Sequence, residues 1–138
     1  LKFLHSMIRV VDLDASLKFY GDALDLKLIR HKDYPDGQFS LYYFASEAGA
    51  PEIELTHNWD STTYSNGTNF GHLAFSVDDI YLFCHRLQQA GVIILRPPRD
   101  GKMAFIKDPN GISIELLQEG CALPPRQPWL SMQNSGSW

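Results

Sequence analysis

Two histidines and two glutamates recur at matching places along the chain. His5 and Glu54 stand 49 residues apart, and His72 and Glu115 stand 43 apart. Each glutamate lies inside an Ile-Glu-Leu triplet, Ile53-Glu54-Leu55 and Ile114-Glu115-Leu116. A lone histidine at a strand start, or a lone glutamate on a half-buried strand, is usually structural or solvated. A His and a Glu repeated at the same landmarks instead make a donor set of two imidazoles and two carboxylates. Such an N/O set without sulfur suits Ni, Co, Zn, Mn or Fe, and four protein ligands leave two octahedral positions open. The carboxylates offset the ion's charge, and the open positions let it act as a Lewis acid toward two substrate oxygens. The other histidines fit this pattern poorly. His57 follows Glu54 at an odd offset, which points it to the other face of the strand. His31 lies beside Arg30 and Lys32 before a turn, and His85 lies beside Arg86 in a helical pattern.

The elements that must carry the four residues also come twice. Residues 1–11, with Ile8, Val10 and Val11, read as a strand. Asp12 or Asp14 caps a helix with Leu17, Tyr20 and Leu24 on one face and Phe19 widening the stripe. A strand begins at 26–29, Pro35-Asp36-Gly37 signals a turn, and strands cover 39–45 and 51–57. Residues 59–69 are rich in Ser, Thr, Asn and Gly and read as a loop joining two modules. The order then begins again. A strand covers 71–77, and Asp78 or Asp79 caps a helix bearing Ile80, Phe83, Cys84 and Leu87. Gly91 ends that helix. Strands are expected at 92–95, 103–107 and 112–117, with a turn at 108–111. The expected fold is α+β, with paired βαβββ modules forming curved mixed sheets. The domain spans 1–118, with modules 1–58 and 70–118. Each half is too small to bury its sheet well alone, so the repeat predicts two sheets meeting around a concave space.

Residues 119–138 form a C-terminal extension in which Pro124, Pro125 and Pro128 oppose a helix. Its apolar residues, among them Trp129, Leu130, Met132 and Trp138, leave two outcomes open: a tail anchored over the site or a partner subunit, or a disordered end. The net charge of −4 carries no footprint for nucleic acid or an anionic membrane. No apolar run approaches a membrane span, and no signal peptide is recognisable. Cys84 and Cys121 make no disulfide framework, which fits a cytoplasmic protein, and Cys84 reads as a buried helix residue.

Longer motifs surround the four donors: Leu4-His5-Ser6-Met7-Ile8-Arg9-Val10, Ser16-Leu17-Lys18-Phe19-Tyr20, Ile53 through Trp59 with Thr56-His57-Asn58, Phe70-Gly71-His72, and Asp108-Pro109-Asn110-Gly111. Together, over about residues 1–118, they resemble the short bacterial form of the glyoxalase I (lactoylglutathione lyase) family of the vicinal oxygen chelate superfamily. The resemblance implies that His5, Glu54, His72 and Glu115 bind one divalent metal ion per site. It implies a homodimer in which His5 and Glu54 come from one subunit and His72 and Glu115 from the other. The implied reaction isomerises the hemithioacetal of glutathione and methylglyoxal to S-lactoylglutathione by enediolate proton transfer. Glu115 corresponds to the principal base and Glu54 to its counterpart for the opposite substrate configuration. Arg9 and Asn58 match positions that contact the γ-glutamyl end of glutathione, and Lys102 resembles a loop residue that binds the glycyl carboxylate. The chain lacks the arm and insertion of the longer eukaryotic form, which by analogy favours Ni or Co, with Zn or Mn as further choices. The loop at 96–102 is shorter and richer in proline than the usual bacterial pattern. Other readings are an epimerase, an Fe(II) dioxygenase using two His and one Glu, a thiol transferase, or a metal-free protein that sequesters a small molecule.

Overall fold

The structure is a computed structural model and describes residues 1–60 and 62–138; residue 61, in the expected 59–69 loop, lies outside the described residues. The chain divides into two compact units, Leu1–Ser65 and Asn66–Trp138.

In the first unit, β1 (His5–Arg9) leads to α1 (Leu13–Leu17), which runs on as a π-helical turn over Lys18–Ala23. Asp12 caps α1, its Oδ1 accepting from the Ala15 N–H at 3.0 Å, which satisfies one of the donors a helix start leaves free. Three strands follow: β2 (Lys27–Tyr34), β3 (Phe39–Ala45) and β4 (Glu52–Asn58). The sheet order is β1-β4-β3-β2, with β1 parallel to β4 and the other pairs antiparallel. The β2–β3 hairpin closes at the Pro-Asp-Gly turn, where the Gly37 N–H donates to the Tyr34 carbonyl at 3.1 Å. Period-two alternation sorts the sheet into two faces. Ile8, Phe44, Ile53 and Leu55 are buried together with Phe19, Tyr20, Ala23 and Leu24 of the helix, and the Tyr20 and Phe44 rings meet at 6.3 Å. The face carrying His5 and Glu54 is therefore left clear of the helix.

The second unit repeats this logic. It contains β5 (His72–Val77), α2 (Ile80–Gln89), β6 (Met103–Lys107) and β7 (Ser113–Gln118). Asp79 caps α2 through the N–H groups of Tyr81 and Leu82, both at 3.0 Å. Gln118 ties the end of β7 to the helix start: its Oε1 accepts from Ile80 N at 2.8 Å and its Nε2 donates to the Asp78 carbonyl at 2.7 Å. Ile80, Tyr81, Cys84 and Leu87 are buried with Ala104, Ile106, Ile114 and Leu116, again leaving the opposite sheet face, which carries His72 and Glu115, clear of the helix. The turn before β7 is held by Asp108, whose Oδ1 accepts from Asn110 N and Ile112 N, both at 2.8 Å. Gly111 supplies the positive φ of 82° that the turn requires.

The strand expected at 92–95 does not form. The structure has a single bridge instead, between Arg96 and Phe105. Leu95 N and Arg96 N both donate to the Phe105 carbonyl, and Phe105 N returns one bond to Arg96. Pro97 and Pro98 come next and have no N–H to extend the ladder. The second sheet is thus three-stranded, in the order β5-β7-β6. Of the outcomes left open for the tail, the structure gives an anchored one, seated on its own unit. Trp129, in a 3₁₀ turn over Trp129–Ser131, is buried and stacked on Tyr81. The Tyr81 hydroxyl donates to the Pro124 carbonyl, and Arg99 donates to Met132 O and to Asn134 Oδ1. No helix among the described residues is long and apolar enough to cross a membrane.

Candidate active site

Strand register positions each His–Glu pair in the same way. In the first unit His5 lies opposite Glu52 and Met7 opposite Glu54; in the second His72 lies opposite Ser113 and Ala74 opposite Glu115. Each histidine therefore sits across from the residue two before its glutamate. Residues two apart on a strand share a face, so both rings reach diagonally to their carboxylates. His5 Nε2 is 2.9 Å from Glu54 Oε2, and His72 Nε2 is 3.1 Å from Glu115 Oε2. The carboxylates are largely enclosed, with side-chain exposures of 12% and 16%, whereas the imidazoles stay open at 37% and 41%. An aromatic ring meets each imidazole edge-on: Tyr43 against His5 at 6.0 Å and Phe105 against His72 at 5.3 Å.

The first unit's site face carries a charged cluster beside the pair. Arg30 reaches from β2 over the Tyr43 ring, 3.5 Å from its centre, and its guanidinium bonds Glu52 at 2.8 Å. That bond is the main cause that raises the Arg30 pKa. Burial, followed by the charge of Glu54, holds the Tyr43 phenol above its usual range, although Arg30 pulls the other way. Thr56 Oγ1 donates to Glu54 Oε1 at 3.4 Å.

Arg9, exposed, alternates onto the same face as His5 and Met7 and lies opposite Thr56. Asn58, two residues beyond Thr56, shares that face and donates to the Tyr64 hydroxyl at 2.8 Å. Lys102 is engaged elsewhere: its Nζ donates to the carbonyls of Gln118 and Gly120 at 2.8 and 2.7 Å. His31 stacks on Tyr42 and contacts Asp33 at 2.8 Å, and His85 is exposed. Beside His72 lies a recess of about 270 Å³, lined in part by Phe70, Lys107, Ser113 and Trp138. Arg30, Tyr43 and Glu52 were not marked by sequence. Alternation puts Phe39, Leu41 and Tyr43 on one side of β3, but which side depends on a pairing register that one strand does not encode.

The donor chemistry fits a divalent cation. Imidazole nitrogen and carboxylate oxygen each bind Zn²⁺ at about 2.0–2.2 Å, so two adjacent donors around one ion stand roughly 3 Å apart. Both pairs show that spacing. Among the described residues, no group of three or more His, Cys, Asp or Glu side chains is arranged to hold a metal ion, so each unit by itself offers two donors.

Comparison with known proteins agrees in kind with this arrangement. Residues 2–116 match the family described as Glyoxalase/Bleomycin resistance protein/Dioxygenase superfamily. A probable lactoylglutathione lyase of Synechocystis is 46% identical over 122 residues, covering 83% of this chain and 93% of that protein. A lactoylglutathione lyase of Neisseria meningitidis is 41% identical, covering 86% and 91%. Among solved structures, the trypanothione-dependent glyoxalase I of Leishmania major superposes with a TM-score of 0.81 at 36% identity, covering 86% of this chain and 87% of that one.

Proposed function

The chain belongs to the Glyoxalase/Bleomycin resistance protein/Dioxygenase superfamily, and from that premise we propose that it is a lactoylglutathione lyase, converting the hemithioacetal of glutathione and methylglyoxal to S-lactoylglutathione. The observation that carries the reading is the repeated His–Glu pair at one register, with its 2.9 and 3.1 Å spacings. It is supported by relatives bearing that activity in their names at 41–46% identity over most of both chains.

His5, Glu54, His72 and Glu115 would together hold one divalent ion, Ni or Co by preference and Zn or Mn as alternatives. Bound there, the ion supplies positive charge toward the oxygens of the substrate. The reaction moves one proton between neighbouring carbons and loses nothing overall, so the chain needs a base that also returns the proton. Glu115 has that role: its carboxylate takes the proton from the carbon beside the carbonyl and delivers it to the next. Glu54 serves the opposite configuration. Arg9 offers a guanidinium fork and Asn58 an amide for the γ-glutamyl end of glutathione. For Lys102 to receive the glycyl carboxylate, it must exchange its bonds to the Gln118 and Gly120 carbonyls. By the family resemblance the site is assigned to a homodimer, with His5 and Glu54 from one subunit and His72 and Glu115 from the other. A reduced-thiol substrate agrees with a cytoplasmic setting.

The test is to strip the protein of metal and reload it separately with Ni, Co, Zn, Mn and Fe. S-lactoylglutathione formation from preformed hemithioacetal is then followed. Activity is expected with Ni or Co above the others. No activity with any fully loaded metal sinks the reading. Running the trypanothione adduct in parallel identifies the thiol.

A further inference from the structure

The recess beside His72 carries an ammonium group, that of Lys107. Strand register sets its place. His72 lies opposite Ser113, and Ser113 lies opposite Lys107, so the three form one row across β5, β7 and β6. Alternation puts Lys107 on the face of Phe105, whose ring meets His72 edge-on. Lys107 is exposed. Among the described residues it makes no ion pair. It shares the recess of about 270 Å³ with His72, Phe70 and Trp138.

The tail builds one wall of that recess. It is fastened along its length: Trp129 stacks on Tyr81, and Ser135 N donates to the Leu95 carbonyl at 2.8 Å. Trp138 then stacks on Phe105, with ring centres 5.5 Å apart and planes 18° apart. On the loop side, Asn66 Nδ2 donates to the Gly111 carbonyl at 2.9 Å. Aromatic walls limit the water around Lys107, and a charge pair there is worth more than in open solvent. Lys102 is placed differently. It stands at an odd offset from Phe105 and Lys107, and its Nζ is already held by the carbonyls of Gln118 and Gly120.

Resting on the function proposed above, we propose that Lys107 takes the glycyl carboxylate of the thiol, and that Trp138 is the wall along which the Cys-Gly arm lies. The lengths agree. The thiol sulfur is bonded to one of the reacting carbons, which Glu115 must reach. From that sulfur to the glycyl carboxylate the arm spans two residues, about 7 Å when extended. Lys107 stands two strand spacings from His72, about 10 Å between backbones, and its flexible four-carbon stem closes the remainder. The ligand class is a thiol ending in a free carboxylate. A thiol whose glycyl end is esterified or amidated leaves the ammonium unpaired in the recess and is disfavoured.

The experiment compares glutathione with its glycyl monoethyl ester, each as the preformed hemithioacetal of methylglyoxal, on the metal-loaded protein. Wild-type protein is expected to favour the free acid by about tenfold in kcat/KM, the range for a hydrogen bond to a charged group. The difference is expected in KM rather than kcat, because the carboxylate is remote from the reacting carbons. Lys107→Gln is expected to cut the ratio of the two kcat/KM values by about threefold or more, through loss with the free acid. A partly unfolded variant loses both activities alike, so the ratio reads only the folded fraction. A smaller cut overturns the role of Lys107 and leaves the lyase reading intact. A ratio that survives in Lys107→Gln and collapses in Lys102→Gln does the same and returns the carboxylate to Lys102. A wild-type ratio below about twofold also overturns the role, since an ammonium paired with the carboxylate discriminates by more than that. Turnover of neither adduct by wild-type protein, whatever the metal, overturns the lyase reading and this inference together.

Discussion

Burial decides what the two cysteines can do. Cys84 is fully enclosed on α2, and desolvation pushes its thiol up to about 12, whereas Cys121 is exposed. The thiolate is the reactive species, so Cys84 is inert in the native protein. A disulfide reagent at pH 8 is expected to titrate one thiol per native chain and two in denaturant; equal reaction of both native thiols refutes this. The same rule, that surroundings set chemistry, separates the four proposed donors from other residues of their type. Asp33 is held below the usual carboxylate range by the Ser40 hydroxyl and then by His31, yet it lies in a hairpin with no second such pair. Residue identity made His5, Glu54, His72 and Glu115 legible because their spacing repeats. Tyr43 and Arg30 were not legible, because their contacts cross strands.

At the level of elements, turns and caps fix the registers on which the pairs depend. The loop before β6 is organised by Asp100, whose Oδ1 accepts from Lys102 N and Met103 N at 2.9 and 3.1 Å while Oδ2 pairs with Arg96. Burial works against its charge, but the Arg96 bond and the two N–H donors outweigh it, and its pKa is lowered. A carboxylate with a lowered folded value contributes stability that is complete above its unfolded value of about 3.9 and is lost as pH falls through the folded one. Asp100→Asn is therefore expected to reduce the unfolding free energy from urea titration at pH 7, by no more than about 1 kcal/mol for a half-exposed pair. The gap to wild type should close below about pH 4. A gap that widens on acidification contradicts the assignment. The tail is a second such element. Trp129 is 3% exposed and stacks on Tyr81, so Trp129→Ala is expected to cost about 3 kcal/mol, the range for emptying a large aromatic site. An unchanged urea midpoint excludes the tail from the folded unit.

At the scale of the whole molecule, the proposal is a site shared across a homodimer. The proposed homodimer can be tested by complementation. Glu54→Gln and Glu115→Gln proteins, each impaired alone, are unfolded together, refolded and loaded with metal. If sites are shared across a twofold interface, half of the dimers are mixed and one of their two sites is intact, so about a quarter of wild-type activity returns. No recovery above the separate variants refutes shared sites.

The sequence by itself determined the two-module plan, the capped helix starts at Asp12 or Asp14 and at Asp78 or Asp79, the turns at Pro35 and Asp108, and the repeated His and Glu positions. These follow from local periodicity and from identity at repeated positions, which a linear chain carries in full. It predicted one strand too many at 92–95, because apolar composition marks a segment that can pair but not how many rungs its neighbours allow; Pro97 and Pro98 stop the ladder after one bridge. Only the tertiary structure decided the tail's seat on Tyr81, the engagement of Lys102 by two carbonyls, and the row that joins His72 to Lys107. The reason is register: which residue stands opposite which is a property of paired strands, and a shift by one residue would send Tyr43 to the other face.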